Sequence, residues 1–141
     1  MDALDVLLKS RQEGGEARKS ALEYLIVRAR QLGCTPRVSD SREGGFTICY
    51  GSTRYAVLDV NAGGRVDVHV KAHPTKELPT ELNARANAFI ASLEGMTIKD
   101  GPIHCTGQAE QPIEEIPRDS LDRLLTYAVN TIQEQYYNNH S

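Results

Sequence analysis

Asp59, Asp67, His69 and Lys71 are the residues of this chain whose types and spacing come nearest to a reactive site. They lie in two short runs of alternating apolar and polar residues, Arg54 to Val60 and Arg65 to Lys71, joined by Asn61-Ala62-Gly63-Gly64. A three-residue loop of Ala62, Gly63 and Gly64 sets Ala56, Leu58 and Val60 opposite Val66, Val68 and Val70, so the aliphatic side chains share one face. The other face then carries Tyr55, Val57 and Asp59 opposite Lys71, His69 and Asp67. Two aspartates directly across from one another repel, unless a cation, a neighbouring base or a shared proton relieves them. Carboxylates, an imidazole and an amine on one face are ingredients of metal-assisted or acid-base chemistry. The plainer reading is a solvated strand face with ordinary cross-strand charge pairs.

Other reactive side chains converge less well. His69 and His73 have the spacing of a helical chelate, but Pro74 and the strand pattern exclude a helix, and on a strand the two are too far apart to share zinc. His104 and Cys105 are neighbours that point to opposite faces of a strand, and Cys49 reads as a small core residue. No GxGxxG, Walker A, HExxH or CxxC pattern occurs, and Gly44-Gly45 and Gly63-Gly64 precede no helix, so both read as turns. Tyr55 beside Arg54 and Lys71 makes only a thin stacking platform for single-stranded nucleic acid in a chain with two Phe and no Trp.

The elements that must position these residues are legible from hydrophobic spacing. Met1 to Gln12 carries Leu4, Leu7 and Leu8 among charges before Gly14-Gly15 interrupts it, a short amphipathic arm on a hinge that packs on its own domain or docks on another chain. From Glu16 to Leu32, the residues Leu22, Leu25, Ile26, Ala29 and Leu32 form one helical stripe that stops at Gly33. Thr35 to Ser39 is a short edge-strand candidate containing Pro36. In the strand that follows, Phe46, Ile48 and Tyr50 share one face, and Gly51-Ser52 turns the chain into Arg54 to Val60. After His73-Pro74, a helix over Thr80 to Glu94 carries Leu82, Ala86, Phe89, Ile90 and Leu93 inward and ends at Gly95. Met96 to Ile98 and Ile103 to Thr106 are weaker strands around Asp100-Gly101-Pro102. Pro117 opens a last helix with Leu121, Leu125, Ala128, Ile132 and Tyr136 buried, followed by a polar tail from Asn138.

This order predicts an α+β fold: an antiparallel sheet of three to five strands flanked by an N-terminal, a middle and a C-terminal helix. The 141 residues, 40% hydrophobic and 25% charged, suit one domain over 16–137, preceded by the arm and hinge at 1–15 and followed by the tail at 138–141. A net charge of -3 argues against a general polyanion binder. The charge is uneven, +3 over residues 1 to 76 and -6 over 77 to 141, a split that can orient a partner or a second copy. Cys34, Cys49 and Cys105 are odd in number and widely spaced, which argues against a disulfide framework; with no secretory or membrane-spanning segment, the cytoplasm is the expected compartment.

Two family resemblances follow from element order. A carboxylate on one strand, with a second carboxylate and a lysine on the next, resembles the magnesium site of the PD-(D/E)xK nucleases over Ala17 to Ile98, with Glu23, Asp59, Asp67 and Lys71 as the matching residues. Lys71 lies four residues after Asp67 where that family has two, about 13 Å along a strand instead of about 6.5 Å. From Ala17 onward the chain also resembles the class I type III secretion chaperones, small acidic homodimeric α+β proteins, in order, size and acidity. The resulting expectation is a non-enzymatic, homodimeric protein-binding module, chaperone- or adaptor-like, that contacts its partner through Leu4, Leu7, Leu8 and the outward Tyr55 and Val57. It needs no cofactor or metal. The alternative is a nucleic-acid-binding or metal-dependent nuclease-like domain using Asp59, Asp67, His69 and Lys71.

Overall fold

The computed structural model describes residues 1–39, 42–69, 80–98, 106–109 and 111–140. Its first helix, α1, spans Ala3–Gln31. Asp2 caps it by accepting from the Asp5 amide at 2.9 Å, while the Asp5 carboxylate accepts from the Asp2 amide at 3.0 Å. The Gly14-Gly15 pair kinks this helix instead of ending it. Only Gly15 leaves the helical region, at φ 80° and ψ -173°, a conformation that glycine reaches without a Cβ penalty. Gly14 stays helical, and a β-carbon there would meet the Arg18 guanidinium, which would have to shift. Beyond the kink, Leu22, Leu25, Ile26 and Ala29 are buried as their spacing predicts and Ala21 joins them, whereas Leu32, at the C-cap, is only half-buried; Gly33 at φ 83° ends the helix.

Among the described residues, six strands form one antiparallel sheet: β1 (Cys34–Val38), β2 (Gly45–Tyr50), β3 (Ala56–Asn61), β4 (Val66–His69), β5 (Met96–Ile98) and β6 (Thr106–Ala109), in the order β1-β2-β3-β4-β6-β5. The α+β class is the expected one. The strand count exceeds the expected three to five because the Pro36 segment and both weaker C-terminal segments all pair, the last of them three residues later than its composition suggested.

The β3–β4 hairpin has the register that the aliphatic pattern demands, with Leu58 opposite Val68, Asp59 opposite Asp67 and Val60 opposite Val66. Its loop closes with Gly64 at φ 88° and the Gly64 amide donating to the Asn61 carbonyl at 2.9 Å. The β2–β3 pairing departs from simple alternation. Ile48 lies opposite Leu58 but Cys49 lies opposite Ala56, so Val57 is an extra residue on β3. This bulge turns Val57 into the core beside Leu58, both fully buried. The expectation that Val57 faces outward with Tyr55 is thereby corrected.

Helix α2 spans Thr80–Ala91 and α3 spans Arg118–His140, after a 3₁₀ turn at Ile113–Glu115. Ala86 and Ile90 of α2 and Leu121, Leu124, Leu125, Ala128 and Ile132 of α3 join one buried cluster with α1, Phe46, Ile48, Leu58, Val60, Val66 and Val68. The helical layer therefore lies against one side of the sheet. Phe89, expected inward, is half-buried and stacks on Tyr127 of α3, ring centroids 4.1 Å apart and planes 10° apart. The backbone of α3 stays helical through His140, past the start of the expected tail.

Candidate functional site

One register row runs through the described strands, Arg37, Thr47, Asp59, Asp67, Gln108 and Thr97, and its Thr47, Asp59 and Asp67 lie on the sheet side opposite the core cluster. Strand alternation puts polar residues on this side because every second position of β2, β3 and β4 is committed to the core. Asp59 and Asp67 do face each other across the hairpin, and each has its own nitrogen-bearing neighbour. His69 Nε2 lies 2.7 Å from Asp59 Oδ2, and Arg65 Nε lies 3.4 Å from Asp67 Oδ2. Partial burial pushes the Asp59 carboxyl up, but hydrogen bonds from His69 and Thr47 and the charge of His69 outweigh it and hold Asp59 below its ordinary range.

A cleft of about 340 Å³ opens beside this pair, lined by Ser39, Glu43, Asn61, Arg65 and the two aspartates. Phe46 and Val60 complete its lining, so polar and apolar surface are mixed in it. Among the described residues, no three His, Cys, Asp or Glu side chains are placed to hold a metal ion. Glu23, the helical acid in the nuclease resemblance, pairs with Lys19 at 3.3 Å on the outer side of α1 and is not brought to Asp59. Val70, Lys71, His73, His104 and Cys105 lie outside the described residues.

The leucine arm is docked on its own sheet. Val6 and Ser10 are fully buried, Lys9 Nζ donates to the Glu43 carbonyl at 2.6 Å, and Met1 lies against Gly44. Leu7 and Leu8 are half-buried, while Leu4 is 61% exposed. Tyr55 is also half-buried, its ring edge-on to Tyr136 at 5.8 Å, and Val57 is inside the core. Of the five expected contact residues, then, Leu4 alone presents most of its side chain to solvent.

Spacing did not expose three other features. Arg18 reaches Glu114, in the 3₁₀ turn, through a two-pronged ion pair, with only 12% and 16% of the two side chains exposed. The Tyr24 hydroxyl donates to the Asp122 carboxylate at 2.8 Å, with Arg28 3.4 Å from the same acid and Arg118 over the Tyr24 ring. The hydrogen bond to Asp122, ahead of burial, raises the Tyr24 phenol pKa and keeps it protonated. Third, an apolar groove of about 330 Å³ runs along α3 beside Phe89, rimmed by Asp122, Arg123, Thr126 and Asn130. The one sequence signal for that groove was Phe89 and Tyr127 standing at the margins of their helical stripes.

Cys34 and Cys49 are buried free thiols on adjacent strands with their side chains on opposite sides of the sheet. Burial pushes Cys34 up to about 11, the neighbouring Cys49 adding to the shift, so its reactive thiolate is scarce at neutral pH. No helix among the described residues is long and apolar enough to cross a membrane. Comparison with protein-family models, curated proteins and solved structures gives no match for this chain.

Proposed function

We propose that this chain is a non-enzymatic protein-binding module, adaptor- or chaperone-like and homodimeric, working in the cytoplasm. The observation that carries the reading is the two-sided arm at the start of α1. Its inward side is anchored by Val6 and Ser10, while Met1 and Leu4, three residues apart around the start of the helix, are each 61% exposed. An anchored helix that keeps two large apolar side chains in water offers them to another surface at little ordering cost. The polar sheet row supports the same reading, because its aspartates are already engaged by His69 and Arg65 within the chain. The resemblance to class I type III secretion chaperones in element order, size and acidity points the same way.

The test is photo-crosslinking in the native host from position 4, with position 23 on the outer side of α1 as the control. A stoichiometric protein adduct from position 4 supports the reading when a separate Leu4→Asp variant no longer captures the same protein. Adducts to nucleic acid, or none above the control, overturn it and move the Asp59, Asp67 and His69 row forward.

A further inference from the structure

We propose that the groove along α3 is the contact between two copies of this chain, with α3 packing antiparallel on α3 of the second copy and the Tyr137 ring of each lying against the groove of the other. The inference extends the protein-binding reading to a specific partner, the chain itself, and rests on that reading only in treating the module as homodimeric.

Three observations on or beside α3 carry it. The groove has an aromatic floor, Phe89 stacked on Tyr127, with Arg123 at 5.8 Å over the Phe89 ring. Tyr137, on the same helix, is 57% exposed, one of the few large hydrophobic side chains so placed among the described residues. A hydrogen bond with Tyr50 holds the Tyr137 side chain in place while most of it stays in water. It lies about four turns beyond Arg123 and so on the same side of α3. Arg123 and Glu134 are exposed, opposite in charge and about three turns apart on that side, and neither has an ion-pair partner among the described residues.

An antiparallel twofold at the height of Val129 satisfies all three together. It sets Arg123 of each copy against Glu134 of the other, within about one residue of rise. The same operation carries each Tyr137 to the Asp122 and Arg123 end of the opposite groove, where an aromatic ring meets an aromatic floor and a guanidinium. The contact is isologous, so it closes at two copies and does not propagate. One helix face about 35 Å long is a narrow interface by the standards of stable dimers. The dimer is therefore weak, dependent on concentration, and loosened by salt through its two charge pairs.

The experiment is sedimentation equilibrium of the full chain over a wide concentration range, at low and high salt, with circular dichroism confirming that each variant is folded. Wild type is expected to pass from monomer to dimer. Arg123→Glu and Glu134→Arg each weaken dimerisation at least tenfold, Tyr137→Ala does so without touching the charges, and the double variant Arg123→Glu/Glu134→Arg regains most of the loss. That rescue is specific to a contact between these two positions. A chain monomeric throughout overturns the proposal, as does a dimer indifferent to the charge swap or one abolished by Leu4→Asp alone. Crosslinking from position 4 is unaffected by the α3 variants, so the arm reading and the dimer contact fail independently.

Discussion

Arg18 holds Glu114 from 96 residues away, Nε to Oε1 at 3.0 Å and Nη2 to Oε2 at 2.9 Å. The pair ties the kink of α1 to the 3₁₀ turn that precedes α3. Beside it, the Ile113 amide donates to the Gly64 carbonyl at 2.8 Å, bringing the β3–β4 loop to the same point. Gly14 and Gly64 lie so close to the guanidinium that a β-carbon on either would crowd it.

Removing one partner leaves the other charge largely buried. Glu114→Ala should therefore destabilise the fold by about 3 kcal/mol, measured by urea unfolding. Gly14→Ala should also destabilise, and should cost clearly less in an Arg18→Ala background, since the obstructed group is then gone. Equal costs in both backgrounds would show that Gly14 is required for backbone conformation and not for the passage of Arg18.

The bulge makes opposite predictions for nearby residues of β3. Val57→Ala should cost about 2 kcal/mol, as for loss of two buried methyl groups with partial collapse of the site. Val57→Asp should prevent folding, since the charge would enter the core unpaired. Asp59→Asn, on the open side of the sheet, should be far milder. A tolerated Val57→Asp would mean that the strand alternates regularly and the bulge is wrong.

Because Asp59 is held below the ordinary carboxyl range, near 3.9 for a free side chain, the sign of its pH dependence is determined. The Asp59 contribution is present above the unfolded value and is lost as pH falls through the lower, folded one. A carboxyl NMR titration should place its midpoint below that of an unfolded aspartate. His69→Ala should move the midpoint upward, because burial then acts against the Thr47 hydrogen bond alone.

Pro36 sits on the outer edge of the sheet. The Ser39 amide donates to the Gly45 carbonyl at 3.0 Å, so by alternation Thr35 and Arg37 also bond inward to β2, and the position of Pro36 faces the free edge. A proline there offers no donor to an incoming strand. Pro36→Ala should leave the fold intact and increase association at high concentration, seen by light scattering. Unchanged scattering would mean that another part of the chain already covers the edge.

How much of this was legible depended on the range over which each feature is determined. The α1 stripe of Leu22, Leu25, Ile26 and Ala29 follows from local periodicity, and the β3–β4 register follows from a short loop plus aliphatic residues that must share a face. The Asp59 and Asp67 pairing was readable for the same reason. Its relief was not: His69 turned to Asp59 and Arg65 to Asp67, a choice made by side-chain reach across and along the strands. Val57 was misplaced because a one-residue bulge reverses every inference drawn from strict alternation. Leu7, Leu8 and Tyr55 read as exposed contacts only because the surfaces that partly cover them come from distant parts of the chain, Tyr136 of α3 among them.

By itself, the sequence determined the α+β class, the identity of most core residues and the hairpin that opposes two aspartates, all properties of neighbours within a helical turn or one tight loop. Tertiary structure alone decided the docking of the arm through Val6, the Arg18 to Glu114 clamp and the groove between Phe89 and α3. These join residues tens of positions apart, and nothing in local periodicity encodes which distant surfaces meet; that is settled by how three helices pack together on one side of a twisted sheet.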